Sequence, residues 1–485
     1  MEETELQAGT TSVESTAKNR EERLRGHKLF ALGSVAAVGL LVYYALTAAV
    51  DDSIHLYQGM AILSLAVLPS LLWARQGGTH LPAFEVLLLT TANTYAFPLL
   101  NGHDQLQHYD TSVITGSANL VLLYQSIAVL TYLSIKGFPL KSPAFREEVL
   151  TRDLQKFVGY GLLLSTGYSV VSIFYPNLIP SEINTVLRAV CTGIGLVTTF
   201  AQSRRWGEGT LPQKEKVLLV VLVAVQALVQ FSTLFLVMGL SLILVSLVGY
   251  VSGAKRLPVV ATLAVFTAAA VLHNGKSTMR AKYWSVDGER QNIQIQALPG
   301  FFGEWVDAGL SKSADDGERE MTKKLLDRTS LFHILCLVTS QTPEHLPYLN
   351  GLTYSQVPGQ FVPRFFWPNK PQAHISTDTL CIYYGLQDET TVRNATIGFG
   401  LLAEAYANFG LFGVGVLAFI LGAFYKRVHT ATLESPLLSY PGLFVIILMA
   451  WSFQVEHTMA VWLGSMSQAC IGVLGVPFLI RNIAS

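Results

Sequence analysis

Charge is scarce in this chain. Only 14% of its 485 residues are Asp, Glu, Lys or Arg, against about 25% in ordinary soluble domains. That is too little polar cover for two or three water-soluble domains. A disordered chain is excluded for the opposite reason, because 51% of the residues are hydrophobic. Neither sign of charge dominates. With 33 basic and 33 acidic residues, a broadly polybasic nucleic-acid binder is ruled out. Cysteine is also sparse: Cys191, Cys336, Cys381 and Cys470 form no C-x-x-C pair, so a disulfide scaffold and a zinc ribbon are both excluded. The first 27 residues are polar and mixed in charge, unlike a cleaved signal peptide.

What the chain has in abundance is long apolar runs. A bilayer core about 30 Å thick takes ~20 mainly apolar residues per helical crossing. Such runs lie at 29–50, 54–74, 81–100, 112–135, 157–175, 183–202, 217–233, 235–254, 258–273, 397–424, 437–454 and 458–480. Between Lys216 and Lys255 there are 38 uncharged residues, a helix of roughly 57 Å at 1.5 Å per residue. That is too long for one crossing, so the reading breaks it into a hairpin near Ser232 and Thr233. The expected fold is an all-α polytopic membrane protein of about twelve transmembrane helices with one large extracytoplasmic loop. Its parts are a disordered cytoplasmic tail over 1–27, membrane helices one to nine over 28–273, the loop or cap over 274–395, and helices ten to twelve over 396–485.

Orientation follows from lysine and arginine. Lys18, Arg20, Arg23, Arg25 and Lys28 place the N-terminus inside. Alternation from there puts Arg75, Lys136 to Lys156, Arg204, Arg205, Lys255, Arg256, Lys426, Arg427 and Arg481 inside as well. The reading is a plasma-membrane protein with both termini cytoplasmic. The piece Met321–Thr339 of the loop has the pattern of an amphipathic helix, lying on the membrane surface or against the bundle.

The chemistry-bearing residues concentrate in that loop and in the span after it. His345–Thr377 contains no Asp or Glu, whereas the rest of the loop contains thirteen. It carries Arg364, Lys370 and His374 among Tyr348, Tyr354, Phe361, Phe365, Phe366 and Trp367. Five prolines, at 347, 358, 363, 368 and 371, restrict its backbone. An aromatic, cationic strip suits an amphiphile with an anionic head group and sugar rings, and equally an interfacial anchor. Lys276, Arg280 and Lys282 open the loop, and Arg328 follows an acidic run. Arg188 lies early in the sixth run, where an ionisable group either snorkels or faces a wet cavity.

In the tenth run, TIGFGLLAEAYANFGLFGVG, Glu404 is followed one turn later by Asn408 on the same face. An intramembrane carboxylate is a functional candidate or one half of a structural ion pair. Gly398, Gly400, Gly410, Gly413 and Gly415, with Ala403 and Ala407, read as a small-residue surface for close helix packing. Glu456 and His457 are weaker candidates. Asp51–Asp52 has the chemistry of a metal site but sits in a loop of only a few residues, and nothing else offers a metal-ligand set.

PYLNG-LTYSQ, then VPRFFWPNKP, then AEAYANFGLFGVG leading into a span, resembles the bacterial oligosaccharide repeat unit polymerases (Wzy, O-antigen polymerase type) over roughly Arg328–Lys426. The resemblance implies a GT-C-like bundle, no cofactor and no metal. It implies transfer of a glycan from undecaprenyl diphosphate onto the non-reducing sugar of a lipid-linked repeat unit outside the plasma membrane. On that reading Arg364, Lys370, Arg328, Arg280 and Arg188 hold the diphosphate, Glu404 is the base with His374 behind it, and Asn408, Tyr354 and Trp367 orient sugars. A base acting in one displacement inverts the anomeric centre. One departure is the turn QFSTLFL, where many relatives carry an arginine; Arg188 or Arg280 would substitute. Lipid-linked oligosaccharides and the bilayer are the expected partners, with a flippase and a chain-length regulator open to it. A glycan ligase and a secondary transporter remain as alternatives.

Overall fold

The computed structural model describes the chain apart from residues 1, 51, 79, 139–146, 149–151, 180, 235, 284–292, 316–329, 363–366, 368–369, 371–373, 390–391, 393–396, 434, 476–477 and 479–485. Its regular structure is helical. In chain order the first helices are α1 (Glu2–Thr47), α2 (Ser53–Arg75), α3 (Ala83–Leu100, with a wide turn at Ala92–Ala96) and α4 (Thr111–Ser134). Then come α5 (Arg152–Phe174), α6 (Ser181–Gly207), α7 (Gln213–Phe231), α8 (Leu236–Ala254) and α9 (Val259–Tyr283). The loop region holds α10 (Leu298–Asp315), α11 (Phe332–Gln341), α12 (Val357–Phe361) and α13 (Ile375–Tyr383). The chain closes with α14 (Leu401–Thr432), α15 (Tyr440–Ser452) and α16 (Met459–Cys470).

Each of the twelve apolar runs overlaps a helix of the described residues. Among the described residues, six helical stretches are long and apolar enough to cross a bilayer: Gly26–Thr47, Ser53–Arg75, Ala83–Leu100, Thr111–Ser134, Val259–Lys276 and Leu401–Thr432. Five more apolar helical stretches are shorter. This is an all-α, multi-pass membrane protein. The helical break required between Lys216 and Lys255 is present: α7 stops at Phe231, and Ser232 and Thr233 lead into Leu234 at φ 60°.

Small residues let the long helices approach. Gly422 of α14 lies against the Ala128 carbonyl of α4, 2.6 Å from where a Cβ would stand, and Gly249 of α8 meets the Phe200 carbonyl of α6 at the same distance. Without a hydrophobic driving force between helices in lipid, such close backbone contact is what holds them. The main core is one cluster joining α2, α3, α4, α11, α14, α15 and α16.

The long loop is built of short helices. α9 runs on past the membrane to Tyr283, and α10 folds back onto it through Gly275 and Gly309. Trp305, fully buried, seals that contact, and its Nε1 donates to the Leu272 carbonyl at 2.7 Å. Residues 316–329, including just under half of the expected amphipathic helix Met321–Thr339, lie outside the described residues. Of the two placements expected for that helix, on the membrane surface or against the bundle, α11 takes the second. Phe332, Ile334, Leu335, Cys336 and Val338 are all buried in the main core, and Ser117 of α4 meets Thr339 at 2.7 Å.

Candidate functional site

The site is assembled where three chain segments meet the start of α14. Gly400, at φ +88°, turns the chain into this helix, a conformation that favours glycine. The first amides of a helix have no partner within it, and here the loop after α15 supplies one. Gly400 N donates to the Glu456 carbonyl at 2.9 Å and Leu401 N to the Val455 carbonyl at 3.2 Å.

Glu404 follows in the first turn and is 0% exposed. Its Oε2 accepts from Met459 N, the first residue of α16, at 2.6 Å. The positive end of that helix dipole favours a carboxylate there. Oε1 has no hydrogen-bond partner among the described residues, and the Thr353 side chain lies beside the carboxyl group. Asn408, one turn on and also fully buried, donates to Thr353 Oγ1 at 2.9 Å and to the Glu404 carbonyl at 2.8 Å. Thr353 Oγ1 accepts from Asn408, so its own proton remains available to a neighbour.

α14 is broken two residues later. Gly410 has φ 58° and ψ −143°, outside the helical region. The Ala407 and Asn408 carbonyls just before the break accept from Leu349 N at 3.0 Å and Asn350 N at 3.2 Å. Asn408 Oδ1 also accepts from Gly351 N at 3.0 Å. The segment Leu349–Thr353 is thus strapped across the broken helix, directly over Glu404. Tyr354 stacks on Phe409 with centroids 6.0 Å apart, and burial together with nearby Glu404 pushes its phenol above the ordinary range.

Hydroxyl groups surround this centre. Ser376 donates to the Thr353 carbonyl at 3.0 Å, and Thr377 meets Thr458 at 3.1 Å. Ionisable groups lie around it. Burial holds the Glu456 carboxyl above its usual range and, aided by His374, pushes His457 down to about 4. Asp378 is raised by burial, against the pull of His374.

Of the residues singled out from the sequence, Glu404, Asn408 and Tyr354 come together here. His374 caps α13, is exposed, and acts electrostatically on His457. Lys370 is half-buried, and its Nζ reaches the carbonyls of Gly359 (3.3 Å), Gln360 (3.5 Å) and Val362 (2.7 Å), closing the end of α12. Trp367 lies against Gly359. Arg188 is exposed on α6, and Arg280 Nη2 donates to the Leu234 carbonyl at the α7–α8 turn, 3.1 Å away. Arg364 and Arg328 lie outside the described residues, as does Asp51. Asp52 caps α2 by accepting from Ile54 N at 2.9 Å. Among the described residues no group of three His, Cys, Asp or Glu is arranged to hold a metal ion.

Sequence reasoning passed over a second buried acid. Glu85, at the opposite end of the bundle, is 4% exposed, and its Oε1 is 3.6 Å from His80 Nε2. The His80 ring meets His429 of α14 edge-on, centroids 4.0 Å apart. Glu85 sits inside the apolar run 81–100, so the signal that marked Glu404 was present there too.

A family model, described as a domain of unknown function (DUF8712), matches residues 151–454, more than half of the chain. The protein belongs to this family. The matched region takes in α5 through α15, so the DUF8712 segment contains Glu404, Asn408, the strap and the Gly410 break. The Glu404–Met459 bond joins the segment to α16, just beyond its end. No curated protein and no solved structure matches the chain.

Proposed function

We propose that this DUF8712 protein is a membrane glycosyltransferase working at the end of the bundle that holds Glu404. In the proposed reaction a glycan leaves undecaprenyl diphosphate and joins the non-reducing sugar of a lipid-linked repeat unit. Glu404 Oε1 takes the proton of the acceptor hydroxyl as that oxygen attacks the anomeric carbon. The bond to the diphosphate breaks, and the leaving group keeps the electron pair. One displacement inverts the centre. The observation carrying this reading is the buried Glu404 carboxylate, anchored through Oε2 by Met459 N, with the Thr353 hydroxyl beside it. That is the arrangement a positioned base needs.

Diphosphate is a good leaving group, so the further requirement is cations for its developing charge. Arg364, Arg328, Arg280 and Arg188 are the proposed source. Lys370 joins them only by exchanging its carbonyl partners. Asn408 and Tyr354 orient sugars, with Trp367 at the rim. The finer topology belongs to the same proposal: twelve crossings in a GT-C-like bundle, termini cytoplasmic and the site extracytoplasmic, in the plasma membrane.

The test is reconstitution with a lipid-diphosphate-linked oligosaccharide. Glu404→Gln should abolish transfer while the protein still inserts and stays folded; normal turnover by that variant removes Glu404 from the mechanism. Many repeats added per acceptor mean a polymerase, and a single transfer means a ligase. A transporter is the second reading, favoured by the break in α14 and by buried acids at both ends of the bundle. Solute uptake by vesicles containing the purified protein, lost on Glu85→Gln, would decide for it.

A further inference from the structure

The connection from α3 to α4 ends on an imidazole pair that the chemistry at Glu404 does not use. The chain leaves α3 through Gly102, at φ 60°. His103 then caps a tight turn over Asp104–His108, its Nδ1 accepting from Gln105 N at 3.1 Å. That bond fixes the ring, and the residue is only 5% exposed. The ring of His333, from the first turn of α11, lies on it, with centroids 5.0 Å apart and planes 14° from parallel. His333 is half-buried, and its Nδ1 meets Ser330 Oγ at 3.3 Å. Leu106 and Tyr109 of the same connection pack into the main core. Two residues before His333, Leu331 N donates to the Thr94 carbonyl of α3 at 3.0 Å. Leu331 Cδ1 stands 2.9 Å from where a Cβ on Gly400 would be, so this side chain fills the space beside the turn that opens α14.

We propose that the His103–His333 stack is an acid-released latch, holding the α3–α4 connection against α11 and, through Leu331, steadying the Gly400 turn from which α14 carries Glu404. Two flat, neutral imidazoles can share a face in a half-buried site. A charged ring there loses water, and a second charge would repel the first. Burial and His103 accordingly push His333 down to about 4 from 6.5. On the elements packed around α11, the other titratable groups at this end are Asp104, His108 and Asp110, all exposed, with Tyr109, Tyr95 of α3, and Glu404 and Tyr406 of α14; Cys336 lies on α11 itself. Among the described residues, His103 is the one that acts electrostatically on His333. A released His333 ring binds a proton more readily than the stacked ring, so acid favours release. Between pH 7.5 and pH 5.0 that preference grows about thirtyfold. The latch requires no particular reaction at Glu404, because it acts on the turn that positions this residue.

The test is hydrogen–deuterium exchange of the full-length protein in detergent at pH 7.5 and pH 5.0, read as protection relative to the free-peptide rate at each pH. Peptides covering 101–110 should lose about thirtyfold protection at the lower pH, while those of α2 keep theirs. His333→Phe keeps a flat ring on His103 but has no proton to gain. Its 101–110 peptides should therefore show the same protection at both pH values. Protection of 101–110 that does not change with pH in the unaltered protein overturns the proposal, and so does an equal loss in folded His333→Phe. If that variant does not fold, His333→Gln, which also stays neutral, takes its place against the same two outcomes.

Discussion

Replacing Gly410 by alanine should release the strap over Glu404. Residue 410 sits at φ 58° and ψ −143°, a conformation costing a non-glycine residue about 1–3 kcal/mol. A methyl group there would also stand 2.7 Å from Tyr348 Oη and 2.9 Å from its Cζ. The alternative for the chain is a regular helix. In that form the Ala407 and Asn408 carbonyls take back the amides four residues on, and they can no longer accept from Leu349 and Asn350. The substitution therefore biases a choice between two hydrogen-bonding schemes. A bias of ~2 kcal/mol raises the open population about thirtyfold. Hydrogen–deuterium exchange reads this directly: peptides covering 348–354 should exchange about thirtyfold faster in Gly410→Ala, while those of α2 and α4 stay unchanged. Unaltered protection of 348–354 in a folded variant would refute the reasoning, because the strap would then not depend on the break.

Other expectations follow from the packing and electrostatics. Trp305→Ala should cost roughly 3–5 kcal/mol of local stability by emptying a fully buried site, seen as protease cleavage between α9 and α10 under conditions where the parent is intact. His457 has its folded value pushed down to about 4 from 6.5. The unfolded chain therefore binds more protons across that window, and the stability His457 contributes at neutral pH is lost as pH falls from 6.5 toward 4. Glu456, held above its usual range, works in the opposite sense and loses stability as pH rises through its folded value. A His457→Gln variant should therefore show a flatter fall in thermal midpoint between pH 6.5 and 4.5 than the parent. The proposed glycosyl transfer is expected to continue in EDTA; a strict divalent-cation requirement in the reconstituted assay would return attention to Asp51–Asp52.

The helices were legible because a bilayer leaves so little choice of sequence for a crossing segment, and the uncharged stretch before Lys255 was too long to be one helix. Glu404 and Asn408 were legible as polar groups in an apolar run. The break beside them was not. Gly410 reads as one more small residue in a packing surface, a role that Gly422 of the same helix does fill. What distinguishes it is a strap of backbone amides from about sixty residues earlier in the chain, and amide positions leave no trace in residue identity. Lys370 misleads for a related reason. In an acid-free strip it reads as a cation awaiting an anion, yet the nearest unsatisfied groups are the carbonyls at the end of a short local helix. For α11 two placements stayed open, because charged residues preceding it suggested a wet face whereas Phe332, Ile334, Leu335, Cys336 and Val338 are buried in the core.

The bond from Met459 N to Glu404 Oε2 is also a hinge pin. It ties the opening turn of one helix to the opening turn of another, and the pin is itself an ionisable group. Any event that draws this carboxyl group toward a substrate, or neutralises it, weakens the joint between α14 and α16. Under the proposed reaction, chemistry at that oxygen pair would therefore register as helix movement, coupling turnover to the opening through which the proposed lipid-borne product leaves.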